Sequence, residues 1–249
     1  MTGVDLPRIE IMGTPVTVLN SYDHAVNCII DCVYRGLKIS CVAITPEKMY
    51  RAQRNRELKE MMKAADLCIC DGAGTAAAVR LLHGRKIPRI TGIQLFFDLV
   101  ACAEALGLRI FLLGATPESN ECAHKKLEQS HPKLQIVGKQ HGYFSNSEEV
   151  ISKINDSGAD MLFVAMGSPR QEKWMTTYRQ QIHVPYCMGV GGVFDVLSGR
   201  AKWAPRICRK TGTEWLYRLI LEPRRFHRNA LVWLFALGVA WQFVFGRQR

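Results

Sequence analysis

Residues 109–119 read Arg-Ile-Phe-Leu-Leu-Gly-Ala-Thr-Pro-Glu-Ser. Arg109–Leu113 is a short apolar run of the kind that forms a buried strand. Gly114 breaks it, and Thr116 is placed to cap a helix with Pro117 in its first turn, where a missing N–H costs nothing. Strand, glycine and capped helix form the repeating unit of an α/β sheet, and the unit recurs on both sides of this stretch. Lys38–Ile44 and Leu67–Cys70 are strand candidates upstream; Leu134–Val137, Met161–Met166 and Pro185–Met188 follow downstream. Helices fit at Glu47–Ala64, Gly74–Leu82, Gln94–Leu106, Pro117–Gln129, Ser147–Asn155 and Gln171–Gln180, and Ile9–Leu19 suits an opening strand or hairpin. Strict alternation with nearly unbroken apolar strands predicts a Rossmann-like, mainly parallel sheet covered by helices on both faces. Residues 1–203 are expected to form this α/β domain, and residues 204–249 a helical C-terminal appendage.

The appendage is where the charge lies. Residues 200–249 hold 11 Lys and Arg against 2 Glu, a net +9 out of the chain's formal +11. The basic block runs into Ala230–Phe245, an apolar stretch interrupted by Gln242 and followed by Arg247 and Arg249. A cationic segment joined to an apolar one suits an anionic membrane surface. Sixteen helical residues rise about 24 Å, short of the roughly 30 Å of hydrocarbon a spanning helix crosses. The stretch is apolar on every face, which points to deep burial in lipid or in a partner, with Trp233 and Trp241 suited to the lipid interface. The basic and apolar parts of the tail are expected to act separably. Nucleic acid is the other anionic partner that a pI near 9.4 allows. The polar, aromatic-studded groove it needs is missing from the sequence, so no nucleic-acid role is expected.

Nine cysteines without a Cys-x-x-Cys pair read as reduced thiols, and the N-terminus lacks the basic and apolar regions of a secretion signal. Both features predict a protein facing the cytoplasm. The histidines are scattered without metal-ligand spacing, so no metal is expected.

In parallel sheets, chemistry gathers where strands end. The predicted strand ends are followed by Thr45-Pro-Glu-Lys48, Asp71-Gly-Ala-Gly-Thr75, Gly114-Ala-Thr116, Gly167-Ser-Pro-Arg-Gln-Glu172 and Gly189-Val-Gly-Gly-Val-Phe-Asp195. Glycines admit a ligand close to the backbone, and helix N-termini favour phosphate oxygens, so a nucleotide diphosphate is the natural ligand. Neither a dinucleotide fingerprint nor a Walker loop is present, which lowers redox and ATPase readings.

In their order and spacing, these segments resemble the WecG/TagA/CpsF family of glycosyltransferases, from about Ile9 to Arg228. The matching stretches are Thr45-Pro-Glu-Lys-Met49, Ala65-Asp-Leu-Cys-Ile-Cys-Asp-Gly72, Pro88-Arg-Ile-Thr-Gly92, His141-Gly-Tyr-Phe144, Met166-Gly-Ser-Pro-Arg-Gln-Glu172, Gly189–Asp195, Glu214-Trp-Leu-Tyr-Arg-Leu219 and Glu222-Pro-Arg-Arg225. The Glu-Lys-Met and Gly-Ser-Pro-Arg-Gln-Glu forms are most similar to enterobacterial-type enzymes that add N-acetyl-D-mannosaminuronic acid to the common antigen. The resemblance implies an inverting transfer from a UDP-sugar to an undecaprenyl-diphosphate-linked N-acetylglucosamine. That chemistry would take place at the cytoplasmic face of the inner membrane, by a peripheral or monotopic enzyme and possible homo-oligomer. It implies Asp71 as the base, Thr45 and Arg89 as catalytic partners, and Gln171 at the sugar and phosphate. Gly191, Gly192 and Asp195 would lie near the nucleotide, and Arg218, Arg225 and Arg228 would join Arg89 on the leaving diphosphate; read from the residues alone, these three suit membrane anchors or a solvated helix face equally well.

No Asp-x-Asp motif is present; a planar guanidinium can grip phosphate oxygens where a metal often holds UDP, so the arginines that the resemblance points to are expected to replace the metal, and no cofactor is expected. Glu47 stands where many family members carry Asn, and it is expected to contact the sugar as a substrate-binding residue. A carboxylate there would repel a uronic-acid donor unless a cation such as Lys48 or Arg170 intervenes. Two alternatives remain open: a UDP-hexose transferase of capsule or exopolysaccharide synthesis, and a non-catalytic membrane-associated nucleotide-sugar binder.

Overall fold

A computed structural model of the chain describes residues 6–221 and 226–245. An antiparallel hairpin, β1 (Arg8–Ile11) and β2 (Thr14–Thr17), opens the chain. Its two-residue turn places Met12 at φ +51° and Gly13 at φ +68°, both in the left-handed region, as a tight hairpin with this twist requires. Six strands follow: β3 (Ile39–Ile44), β4 (Leu67–Cys70), β5 (Arg109–Gly114), β6 (Gln135–Gln140), β7 (Met161–Ala165) and β8 (Tyr186–Gly189). They form one all-parallel sheet in the order β4-β3-β8-β7-β5-β6. The predicted α/β class and parallel sheet are what the structure shows.

Alternate strand residues feed opposite faces, as the period of two demands. Cys41, Ile69, Leu112 and Phe163 join the cluster under α1 (Tyr22–Tyr34), α5 (Gly92–Leu106), α6 (Pro117–Ser130) and α9 (Val193–Ser198). On the other face, Val42, Ile44, Cys68 and Cys70 lie under α2 (Pro46–Arg54), α3 (Arg56–Ala64) and α4 (Ala73–His83). Leu113, Val164 and Cys187 lie under α7 (Ser147–Asp156) and α8 (Arg170–Tyr178).

The sequence predicts one helix over Glu47–Ala64, and the structure has two. Asn55 sits at φ −131° and accepts a hydrogen bond from the Leu58 amide at 2.9 Å, ending α2 and capping α3. Its short amide competes for the backbone N–H that a continuous helix would use. Helix α1 escapes the sequence reading, although its signals are present. Ser21 accepts from His24 N at 2.9 Å, and Ala25, Val26, Ile29, Cys32 and Val33 make a helical apolar stripe.

The C-terminal region comprises α10 (Arg206–Thr211), α11 (Glu214–Leu221) and α12 (Phe226–Phe245). Among the described residues, no helix is long and apolar enough to cross a membrane. The apolar residues of α12 divide between two stripes. Phe235 and Val239 are buried in the same cluster as α2 and α4, Gly238 lies against the Met12 side chain, and Gln242 Oε1 accepts from Met12 N at 2.9 Å. Trp233, Leu237, Trp241 and Val244 face outward and are each more than 60 % exposed. The apolar segment is thus built into the fold on one side and uncovered on the other.

Candidate functional site

The strand order makes two crevices. After β3 the chain moves outward to β4, whereas after β8 it turns the other way through α9, which packs on α6. The crevice between β3 and β8 is a topological switch point, and a second lies between β5 and β7, whose crossovers also diverge. Thr45, Asp71, Gly191 and Asp195 all follow strand ends on this one edge.

Thr45 caps α2, its Oγ1 accepting from Lys48 N at 3.2 Å. Thr75 Oγ1 donates to the carbonyls of Ile44 at 3.1 Å and Asp71 at 3.0 Å, joining the ends of β3 and β4. Asp71 N donates to Ile44 O, and Gly72, at φ +100°, turns the chain into α4. The Asp71 carboxylate reaches across to α5, where Oδ2 accepts from Gly92 N at 3.1 Å. Gly92 is the first residue of that helix, so the helix dipole and an unpaired first-turn N–H both favour a carboxylate in this position. Thr91 N donates to Tyr22 Oη at 2.8 Å beside it. Burial pushes the Tyr22 phenol above its ordinary value, with Asp71 acting in the same sense and Arg89 against it. These three groups therefore lie within electrostatic reach of one another.

Arg89 links this corner to the C-terminal region. Its guanidinium donates to Glu214 Oε2 at 3.0 Å and to the carbonyl of Arg209. Arg209 in turn lies 4.0 Å over the Trp203 ring, which stacks on Phe97 of α5. Its Nη1 donates to Gln94 Oε1 at 3.3 Å. Helices α10 and α11 are thus clasped to the first turn of α5, next to Asp71.

On the far side of the β3/β8 crevice, Lys48 Nζ is buried against Glu172, 2.7 Å from Oε1, and donates to Ala43 O at 2.7 Å. Burial works to raise the Glu172 carboxyl, but the Lys48 ammonium and the hydrogen bonds to the carboxylate together hold the group below the ordinary 4.5. Gln171 Nε2 donates to Glu172 Oε1 at 3.2 Å, and its Oε1 accepts from Gly191 N at 3.0 Å. A Cβ at Gly189 would stand 2.6 Å from Gln171 Nε2, so only glycine lets this amide lie against the end of β8.

At the second crevice, Gly114 has φ +118°, and a Cβ there would meet the Ala165 backbone at 2.5 Å. Asp195, in the first turn of α9, accepts from Ser119 Oγ at 2.9 Å. Arg200 donates to Thr116 Oγ1 at 3.0 Å. Gly192, exposed, begins α9 without a side-chain cap. Val193 and Phe194 of the first turn of α9 are buried, so only Gly192 is exposed there, with the half-buried Asp195 and the exposed Arg200 nearby.

The sequence matches the profile of the Glycosyl transferase WecG/TagA/CpsF family over residues 9–249. This chain belongs to that family. It is accordingly a glycosyltransferase of cell-surface polysaccharide synthesis, a class that takes a nucleotide sugar as donor and a lipid-linked acceptor.

Seen as a transferase edge, the geometry brings Thr45, Asp71 and Arg89 to one corner and Gln171 and Gly191 to the neighbouring crevice; Gly192 and Asp195 follow at the start of α9. Arg225 lies outside the described residues, and the side chains of Arg218 and Arg228 do as well. The cations expected to shield a donor from Glu47 are placed otherwise. Lys48 is committed to Glu172, and Arg170 donates to Gly142 O at 3.2 Å. Arg51, one helical turn on, pairs with Glu47 at 3.0 Å instead. The i, i+4 spacing of Glu47 and Arg51 carries that signal in the sequence. Sequence reasoning also missed Tyr22 and Arg209, whose importance comes from long-range packing. Among the described residues, no three His, Cys, Asp or Glu side chains are arranged to hold a metal ion. All nine cysteines are free thiols, five buried and four half-buried; burial pushes Cys41, Cys68 and Cys70 up to about 12, so they are poor nucleophiles.

Proposed function

We propose that this glycosyltransferase moves an N-acetylmannosamine-type sugar, N-acetyl-D-mannosaminuronic acid as first choice, from UDP to undecaprenyl-diphosphate-linked N-acetylglucosamine. The observation that carries the chemistry is Asp71, a half-buried carboxylate at a strand end, oriented by Gly92 N beside Arg89. A single base at that position can deprotonate the acceptor hydroxyl as it attacks, giving inversion. The departing UDP gathers negative charge, which Arg89 and the basic C-terminal region are suited to stabilise without a metal. Thr45 and Glu47, in the same first turn of α2, face the sugar in this reading. The Arg51 partner of Glu47 offsets the charge that would otherwise oppose a uronic-acid donor.

The exposed stripe of α12, with Ile207, Trp215 and Ile220, supports docking on the anionic cytoplasmic surface as a peripheral protein. The test is transfer to a lipid-linked N-acetylglucosamine acceptor with a panel of UDP-sugars. A strong preference for the mannosaminuronic donor supports the reading. Preference for UDP-glucose would replace it with the capsule-type hexosyltransferase, which a neutral sugar beside Glu47 also suits.

A further inference from the structure

The geometry points to the buried Lys48–Glu172 pair as a positioning device that fixes the Gln171 amide and, through it, the Gly191 backbone at the mouth of the β3/β8 crevice. The links run without a gap. Ala43 O accepts from Lys48 Nζ, Glu172 Oε1 accepts from both Lys48 Nζ and Gln171 Nε2, and Gln171 Oε1 accepts from Gly191 N. Three strand-end segments, after β3, β7 and β8, are thereby joined by side chains that are almost fully buried; Glu172 is 1 % exposed and Gln171 3 %.

The direction of the chain follows from donor and acceptor chemistry. An ionised carboxylate only accepts hydrogen bonds, so Gln171 must turn its NH2 toward Glu172 and leave its oxygen for Gly191. Gly191 stands at φ +59°, where an L side chain is strained, and its amide is held by this bond. A buried ion pair is weak support for stability, because two apolar side chains of similar volume often do as well. An ionic pair here accounts for something apolar packing does not supply, namely a fixed amide orientation. Gln171 then acts on the substrate through Gly191, as a positioning residue. The consequence for nucleotide affinity rests on the proposed UDP-sugar site; the orientation of Gly191 does not.

The test uses the full chain and two readouts. Glu172→Gln gives position 172 an NH2 group that can bond the Gln171 oxygen and release Gly191. Amide hydrogen exchange at Gly191 is expected to quicken by roughly tenfold, and UDP affinity, measured by titration calorimetry, to fall by a similar factor. Lys48→Arg keeps the cation and should retain wild-type exchange. Lys48→Met/Glu172→Met guards against a variant that simply unfolds. It should keep a Tm near wild type yet show fast exchange at Gly191. Unchanged Gly191 exchange in a folded Glu172→Gln or double variant overturns the inference, whatever UDP does. If wild-type protein does not bind UDP, the proposed function fails, and the exchange data still decide the positioning role.

Discussion

At Asp71 the hydrogen bond from Gly92 N fixes which way the carboxylate points, and asparagine can keep that bond through its own oxygen while losing basicity. Asp71→Asn is therefore expected to slow single-turnover transfer by on the order of 10²–10⁴-fold with UDP binding near wild type; an unchanged rate removes Asp71 as base. Arg89→Ala should lower kcat by on the order of 10²–10³-fold, the usual effect of removing one transition-state donor. Glu214→Gln, which frees one side of the Arg89 guanidinium without removing it, provides the control that separates charge stabilisation from the clasp on α11. Glu172 supplies a pH signature. Its pKa is depressed on folding, so its contribution to stability is present above the ordinary 4.5 and is lost as pH falls through the lower folded value. Chemical denaturation between about pH 3 and 6 should show the stability gap between wild type and Glu172→Gln narrowing as the medium is acidified; a gap independent of pH contradicts the ionised pair. The placement of Thr45 and Asp71 at strand ends was readable from sequence because each follows an apolar strand and precedes a helix start. The Glu172 partnership was not, since its partner lies 124 residues away and no local spacing announces it.

Among the elements, α12 presents two stripes, one buried and one exposed. Phe235 is 3 % exposed, and a Cβ on Gly74 would come within 4.0 Å of it and within 2.8 Å of Pro46. The ring thus packs where α2 and α4 begin, next to Gly74 in the first turn of α4. Phe235→Ala should cost about 3–5 kcal/mol of stability, read as a lowered denaturation midpoint. Trp233→Ser/Trp241→Ser touches the exposed stripe alone. Flotation with anionic vesicles should fall for that double variant while its Tm stays within a few degrees of wild type; unchanged flotation removes α12 as the docking face. The sequence shows an apolar segment but not this division, because residues on every face of a helix look alike until the partners on one side are placed. The break at Asn55 was hidden for a related reason. Good helix formers flank it on both sides, and one side-chain hydrogen bond tips the balance.

For the molecule as a whole, alternation of apolar runs with capped helices was enough to read the parallel sheet, since every strand except the half-exposed edge strand β6 is largely buried on both faces. Strand order was not legible, because nothing local to β8 states that it inserts between β3 and β7. That order decides the site, for it brings Gly191 and Gln171 beside Thr45. The absence of an Asp-x-Asp motif together with Arg89 at the rim predicts transfer that persists in excess EDTA. Activity that disappears on chelation and returns with Mg²⁺ or Mn²⁺ overturns the arginine reading.

The hairpin turn at Met12 is held from both directions, its carbonyl accepting from Gln53 and its amide donating to Gln242. Of the described elements, α12 is the last to be synthesised, and the apolar trench between α2 and α4 stays open until it arrives. A chain without α12 lacks Phe235 and Val239, and the apolar residues of α2 and α4 that they cover face water, a surface prone to aggregation. Chains cut before Phe226 are therefore expected to be degraded faster in the cell than the full sequence, as a pulse-chase of both would read, because the same helix that offers its outer stripe to solvent closes this cluster from within.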